Sequence, residues 1–149
     1  MNKLIPEWLN IPKFLKDSDP PIPLIYWPKA NDTQKFVGKS WGYERWIINT
    51  PLYCGKILFI ETGKQTSWHY HEKKDECMYV LSGTLNLQHD WERPIYRAGN
   101  AVLKEGDSFH IPTGMTHRLH AWSAVTLFEF STHHEDDDSI RLKDDGTPL

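Results

Sequence analysis

The sequence of 149 residues has only two cysteines, no long apolar run and no excess of positive charge. Because Cys54 and Cys77 can form one disulfide at most, we expect free thiols and a reducing, cytoplasmic compartment. Prolines and charged residues interrupt the first segment, MNKLIPEWLNIPKFL, so we expect no signal peptide there. No stretch approaches the roughly 20 apolar residues of a membrane span. The net charge of −3 gives no footprint for nucleic acid, so we expect neither a membrane nor a nucleic-acid partner.

The composition of the chain suits one domain with a single core, flanked by two segments of different character. Residues 1–37 hold most of the ten prolines, so we expect an extended N-terminal arm there. Trp8 and Trp27 in this arm suit a cover over an exposed sheet face or a contact with a second subunit. Residues 132–149 are acidic and polar, which favours a solvated tail.

Residues 38–131 form the structured domain in this interpretation. Short apolar or alternating runs, rich in β-branched and aromatic residues, are separated by turn residues there, which predicts an all-β sandwich or barrel. The runs are ERWIINT, KILFIET, CMYVLSG, TLNLQHD, AVLKEG, DSFHIP, HRLHAW and AVTLFEFS.

The octet HYHEKKDE, residues 69–76, is either a metal site or a solvated polar loop. On a strand, His69 and His71 share one face, because successive side chains point to opposite sides. EKKD has the character of a hairpin connection, and Glu76 would then share a face with the apolar Met78 and Val80. Two imidazoles and a carboxylate leave open positions on a divalent ion, as in sites that also hold a substrate.

A third histidine stands in a structured place further along the chain. The Pro-Thr-Gly turn at 112–114 would deliver His117 to the start of a new strand. Cys77, next to Glu76, is another conceivable ligand through its thiolate. Because the chain has eight histidines, a His-x-His pair is a weak signal when taken alone.

The spacing of glycines around these residues resembles the two sequence motifs of the cupin superfamily, over roughly residues 40–131. The resemblance implies a double-stranded β-helix, or jelly-roll barrel, in which the motif glycines are turn positions. It also implies one divalent ion held by His69, His71, Glu76 and His117, with Fe, Mn, Zn, Ni and Co all admissible. The first motif is Gly63, five residues, His69-Tyr70-His71, four residues, Glu76, six residues, Gly83; the second is Gly106, five residues, Pro112, one residue, Gly114, two residues, His117.

Two flanking stretches narrow the expected function. GKSWGYERWIIN, at 38–49, resembles the lead strand of cupins related to type II phosphomannose isomerase. EFSTHHEDDDSIRLKDDG, at 129–146, resembles cupins found beside sugar-nucleotide enzymes. The resemblance therefore favours an isomerase or epimerase of a sugar or sugar phosphate. An iron-dependent dioxygenase or lyase of a small organic acid is the alternative, and so is a metal-binding or carbohydrate-binding module without turnover.

An aldose–ketose isomerase needs a base for the proton on C2, and Glu129 is the candidate. It faces the interior if Phe128 and Phe130 point outward, and a wet outer face in the opposite case. Substrate-binding candidates near the mouth of the barrel are Glu61, Gln65 and Arg118.

Aromatic and histidine residues outside the motifs suggest further contacts. A sugar ring could stack on Trp41 or Trp46. Trp68 and Tyr70, which alternate with the two motif histidines, favour a homodimer contact or a surface for the arm. His133 and His134 beside the acidic residues suggest a second surface metal site.

Overall fold

A computed structural model of the protein describes residues 34–90 and 99–143. Within these ranges the chain forms eleven β-strands and one short 3₁₀ helix, Asp136–Asp138. The strands are β1 Lys35–Lys39, β2 Gly42–Asn49, β3 Cys54–Ile60, β4 His69–His71, β5 Glu76–Ser82, β6 Thr84–Asp90, β7 Gly99–Lys104, β8 Ser108–Ile111, β9 Thr116–Ala121, β10 Val125–Ser131 and β11 Ser139–Arg141.

The strands build two antiparallel sheets that bury a common interior. One sheet has six strands in the order β1-β2-β3-β10-β5-β8, and the other has five in the order β11-β4-β9-β6-β7. The predicted all-β jelly-roll barrel is thereby confirmed, and each predicted run overlaps a strand. The apolar runs gave no signal for β1 or β11. The expected proline-rich arm lies outside the described residues as far as residue 33.

Inward-facing side chains change from apolar to polar along three neighbouring strands of one sheet and one strand of the other. On β10 the sequence of buried residues is Val125, Leu127 and then Glu129. In register with them, Ile60, Leu58 and Lys56 follow one another on β3. The same change occurs from Val80 to Glu76 on β5 and from Ala121 to His117 on β9. One end of the interior is therefore an apolar core, and the other end is lined by ionisable groups.

Two motif glycines show why their positions tolerate no side chain easily. Gly83 has φ of +88°, and a Cβ atom there would lie 2.2 Å from the carbonyl oxygen of Ala124. Gly114 has φ of +86°, and its N–H donates to the carbonyl of His71 at 2.8 Å. The turn in the second motif is thus bonded directly to a histidine of the first.

The expectation of a solvated acidic tail is wrong at residues 138–140, although Asp136, Asp137 and Arg141 are exposed. Asp138 is only 6% exposed, and β11 pairs antiparallel with β4. The segment folds back because the Asp138 carboxylate satisfies backbone N–H groups of the loop after β4.

Within the described residues no helix is long and apolar enough to cross a membrane. Both cysteines are free, as expected. The cytoplasmic location and the homodimer stay predictions.

Candidate metal centre

Three histidines converge at the polar end of the barrel. His69 and His71 lie on β4, and His117 lies opposite His69 on the neighbouring strand β9. One ring nitrogen from each lies within 4.8 Å of the others. His71 and His117 are buried, and His69 is half-buried. Strand pairing alone therefore places three imidazoles around one point.

Backbone contacts fix which nitrogen each histidine presents to the cavity. In each ring Nδ1 lies at hydrogen-bonding distance from a backbone carbonyl, so it carries the hydrogen and Nε2 keeps its lone pair. Burial lowers the pKa of His117 to about 4 and the pKa of His69 well below its usual value. All three rings are thereby set as neutral Nε2 ligands. The acceptors for His69, His71 and His117 are the carbonyls of Ser67, Asp138 and Met115, at 2.9, 2.9 and 3.0 Å.

Glu76 completes the set from the first residue of β5. Its Oε2 lies 3.5 Å from Nε2 of His71 and 3.4 Å from Nε2 of His117. Neither this oxygen nor Nε2 of His71 has a hydrogen-bond partner among the described residues, although both are buried. A buried polar atom without a partner costs free energy, and a divalent cation would satisfy both atoms at once. The three-nitrogen, one-oxygen donor set therefore fits the expected metal.

Lys74 is a site residue that the sequence analysis missed, because EKKD was assigned only as a connecting turn. Its side chain turns into the barrel and is 4% exposed. The ammonium contacts Oε1 of Glu76 and lies 3.1 Å from Oε1 of Glu129. Burial alone would lower the pKa of Lys74, but these two carboxylates outweigh it and raise the pKa above its usual value. A positive charge therefore stands beside the candidate metal ligands.

Glu129 points into the interior, which is the orientation required of the predicted base. It is 3% exposed, whereas Phe130 beside it points outward and is 55% exposed. Burial would raise the pKa of Glu129, but the ammonium groups of Lys74 and Lys56 outweigh it and hold the pKa well below its usual value. The Ser131 hydroxyl also donates to Oε1 at 3.1 Å. Glu129 is therefore an ionised carboxylate in the cavity.

A row of charges of alternating sign runs from the Lys74–Glu129 pair to the surface. Lys56, 1% exposed, lies 3.6 Å from both Glu129 and Glu44. The next cation, Lys39, lies 3.2 Å from Glu44, and its side chain is 30% exposed. Each charge has an opposite neighbour, which offsets part of its desolvation cost. The order is Glu76, Lys74, Glu129, Lys56, Glu44 and Lys39.

Asp138 joins the candidate metal ligands to the loop that carries Lys74. Its Oδ1 accepts hydrogen bonds from the N–H groups of Glu72 and Lys73, and its Oδ2 accepts one from Lys74, all at 3.0 Å. Its carbonyl accepts the Nδ1–H of His71. One residue therefore orients a ligand and holds the loop in place. The sequence signal was weak, because Asp138 is one of three consecutive aspartates.

The structure does not bring the three predicted substrate-binding residues to the cavity. Glu61 and Gln65 are exposed on the segment after β3 and do not line it. Arg118 points away from the barrel, because its neighbours His117 and Leu119 on β9 point inward, and its guanidinium lies over the Trp68 ring.

Of the two tryptophans proposed to stack on a sugar, only Trp41 lines the cavity. Trp46 is buried, and the Nζ atoms of Lys35 and Lys56 lie 4.7 and 4.6 Å from the centroid of its ring. Its indole N–H donates to Glu44 at 2.9 Å. The Trp46 ring therefore has no free face for a sugar.

The other proposed metal ligands are occupied elsewhere. Cys77 pairs with His110 at a position between the inward-facing Glu76 and Met78, so its side chain points away from the ligand set. The ring of His134 bonds Lys56 and Asp136, and the ring of His133 bonds the Thr50 carbonyl. Among the described residues, the cluster of histidines described above is the one group that could hold a metal.

Comparison with known sequences agrees with this architecture. A sequence profile of the cupin domain matches residues 57–129, which contain all four metal-ligand candidates. A mannose-1-phosphate guanylyltransferase of Sinorhizobium fredii is 26% identical over 112 residues, which cover 72% of this chain and 20% of that protein. The chain thus spans about one fifth of the length of this curated relative.

Solved structures with the same fold include three proteins of different kinds. KdgF from Halomonas sp. has a TM-score of 0.56 and 20% identity, covering 64% of this chain and 81% of that one. The W96Y oxalate decarboxylase of Bacillus subtilis has a TM-score of 0.66 and 18% identity, covering 77% of this chain and 32% of that one. An RmlC-like cupin from Shewanella frigidimarina has a TM-score of 0.59 and 15% identity, covering 71% of this chain and 89% of that one. Such identities show the fold alone. The match of residues 57–129 to the cupin-domain profile, on a barrel of this fold, shows that the chain belongs to the cupin superfamily.

Proposed function

We propose that the protein is a metal-dependent isomerase or epimerase acting on a sugar or sugar phosphate. The observation that carries the proposal is the buried Lys74–Glu129 pair, which lines the same cavity as the four candidate metal ligands. A binding module without turnover has no need of two buried, oppositely charged groups beside an open metal position, and burying them costs free energy.

The candidate ligands His69, His71, Glu76 and His117 would hold one divalent ion. When bound, the ion supplies a Lewis acid that polarises the carbonyl and hydroxyl oxygens of the substrate. The donor set admits Fe, Mn, Zn, Ni and Co. Manganese is the first ion to test, because the oxalate decarboxylase of Bacillus subtilis, a protein of the same fold, is described as having Mn(II) centres.

The two buried side chains suit the proton movements of an aldose–ketose isomerisation. The reaction moves one proton from C2 to C1 and one from the C2 hydroxyl to the carbonyl oxygen, with no net change in composition. The Glu129 carboxylate is in the ionised state that can accept the C2 proton and return it to C1. Lys74 remains protonated and donates a hydrogen bond to the oxygen on which negative charge develops.

The sugar class of the substrate is supported by the curated relative. That protein is named for mannose 1-phosphate, and the region similar to this chain is one fifth of its length. The lead strand Gly42–Asn49, with Trp41 before it at the cavity, coincides with the stretch that resembles phosphomannose isomerase-like cupins.

The test is exchange of the C2 proton with solvent deuterium, followed by NMR over a panel of aldoses and their phosphates with Mn²⁺-loaded protein. We expect exchange with at least one sugar, and Glu129→Gln should slow it by about 10²–10⁴-fold, the usual contribution of a general base. Glu61→Gln, which neutralises an exposed carboxylate outside the cavity, is the matched control and should exchange normally. Absence of exchange over the panel would contradict the proposal. Oxygen uptake by the iron-loaded protein with small organic acids would instead favour a dioxygenase.

A further inference from the structure

The last described strand places two side chains beside the metal ligands. In the β4–β11 pairing, Ser139 lies opposite His71 and Arg141 lies opposite His69. Residues directly opposite in an antiparallel pair project to the same face of the sheet. Ser139 and Arg141 accordingly line the cavity together with the two histidines.

Arg141 differs from the other cations of the cavity in having no carboxylate partner within the described part of the chain. Lys56 and Lys74 are buried and paired with Glu129, and Lys39 is paired with Glu44. The carboxylate of Asp136, which also lines the cavity, bonds instead to Nε2 of His134 at 3.2 Å. Arg141 is exposed, so its guanidinium can meet a ligand entering from solvent.

The charge balance of the cavity points in the same direction. Four carboxylates line it, and four cationic side chains match them in number. A bound divalent ion therefore leaves the cavity with an excess of positive charge, which attracts an anion. The carboxylates are Glu44, Glu76, Glu129 and Asp136, and the cations are Arg141 and the three paired lysines.

We propose that Arg141, assisted by the Ser139 hydroxyl, forms a subsite for an anionic group of the substrate. The planar guanidinium presents two parallel N–H donors, a geometry that matches a carboxylate or a phosphate. The substrate is then an acidic sugar, either a sugar phosphate or a uronate, rather than a neutral sugar. The identification as a sugar rests on the proposed function, whereas the anion subsite rests on the geometry of β11.

Calorimetric titration of the Mn²⁺-loaded full chain with glucose 6-phosphate, glucuronate and glucose tests the subsite without requiring turnover. We expect at least one of the two anionic sugars to bind about tenfold or more tightly than glucose. Whether the phosphate or the carboxylate binds better identifies the group. Arg141→Gln should remove this preference while leaving metal content unchanged, and Arg141→Lys should restore part of it.

Arg45→Gln is the matched control, because Arg45 is exposed on β2 and does not line the cavity. Equal binding of charged and neutral sugars, no binding of either anion at millimolar concentration, or equal effects of Arg141→Gln and Arg45→Gln would overturn the subsite. Arg141-dependent anion binding without C2 exchange for any sugar would leave the subsite standing and contradict only the isomerase. C2-proton exchange at the same rate in the wild type and in Arg141→Gln would support the isomerase and contradict the subsite.

Discussion

The two ends of the barrel interior are built from the same strands but with opposite chemistry. On β10, Leu127 belongs to the apolar core, and two residues later Glu129 lies among buried charges. The same step separates Leu119 from His117 on β9. A shift of two residues along a strand keeps the side chain on the same face and moves it by about 7 Å. The apolar end therefore holds the strands that position the charged end.

Burial of the side chains at the apolar end stabilises the fold, whereas burial of the charges at the other end destabilises it unless the charges are paired. Each fully buried aliphatic side chain at the apolar end contributes about 1.5–3 kcal/mol. At the other end, each buried charge costs several kcal/mol unless an opposite charge or an ion lies beside it. The alternating charges offset part of this cost, and a bound divalent ion would offset the cost of the unpartnered Nε2 of His71 and Oε2 of Glu76. Along these strands, the side chains that stabilise the fold are therefore separate from those that form the candidate site.

The largest expected effect at the charged end is loss of the metal. We expect wild-type protein to carry about one divalent ion per chain. His117→Ala should carry less than about a tenth of that, because it removes a buried nitrogen ligand and leaves the remaining three donors on one side of the ion. The same loss is expected for His71→Ala. Elemental analysis of freshly purified protein gives the content, and circular dichroism should show the strands retained.

His120→Ala is the control for this measurement, since His120 lies on the same strand but does not line the cavity. Its metal content should equal that of the wild type. If His117→Ala and His71→Ala both keep a full complement of metal, the ligand assignment is wrong.

Removing a buried charge should cost the most stability. Lys74→Met leaves the carboxylates of Glu76 and Glu129 without their shared cation, and breaking a buried pair costs about 3–5 kcal/mol. Urea unfolding in EDTA measures this loss without a contribution from metal. Adding Glu129→Leu should recover part of it, because the second charge is then also gone. Lys73→Met, which changes an exposed neighbour, should have little effect; a cost similar to that of Lys74→Met would show that burial is not the cause.

At the apolar end, Leu127→Ala should lower the free energy of unfolding by about 2–5 kcal/mol. Leu127 is fully buried, and the deleted methyl groups leave a cavity between the sheets. Phe130→Ala on the same strand removes a larger side chain that is 55% exposed, so it should cost less than about 1 kcal/mol. Denaturant midpoints of the two variants decide the comparison. The interpretation fails if the outward residue matters more.

The apolar end and the convergence of the candidate metal ligands were the parts of the structure that could be predicted from the sequence. Alternating runs mark strands because one face of each is buried, and the glycine spacing of the two motifs located His69, His71, Glu76 and His117. For Glu129 the sequence left both faces open, since Phe128 and Phe130 suited either side. Packing in three dimensions decided that the phenylalanines face outward.

The remaining site residues had no local signal in the sequence. Lys74 sits in a polar loop, where a lysine is normally exposed, and only the carboxylates brought by β5 and β10 draw it inside. Asp138 and Arg141 lie in a polar segment without apolar alternation, and their roles depend on the long-range pairing of β11 with β4. Contacts between residues so distant in sequence could not be derived from spacing.

A smaller effect is expected where Asp138 holds the ligand loop from outside the cavity. Asp138→Ala removes the acceptor of three backbone N–H groups next to His71, and loss of such outer partners lowers metal affinity about 10–100-fold. Competition with a chelator measures the affinity. Asp137→Ala, which removes an exposed neighbouring carboxylate, should bind metal as the wild type does. Identical affinities for the two variants would mean that the carbonyl of residue 138 alone suffices.

The smallest effect is expected at the exposed end of the charge network. Lys39→Met removes the last cation, but the Lys39 side chain is 30% exposed, and pairs that water can reach contribute only about 0–1 kcal/mol. Glu44 also keeps Lys56 and the indole N–H of Trp46 as partners. The same substitution, lysine to methionine, is thus compared at two depths of one network by urea unfolding. If Lys39→Met lowers the free energy of unfolding as much as Lys74→Met does, the network acts as a unit. The contribution of each charge then does not depend on how exposed it is.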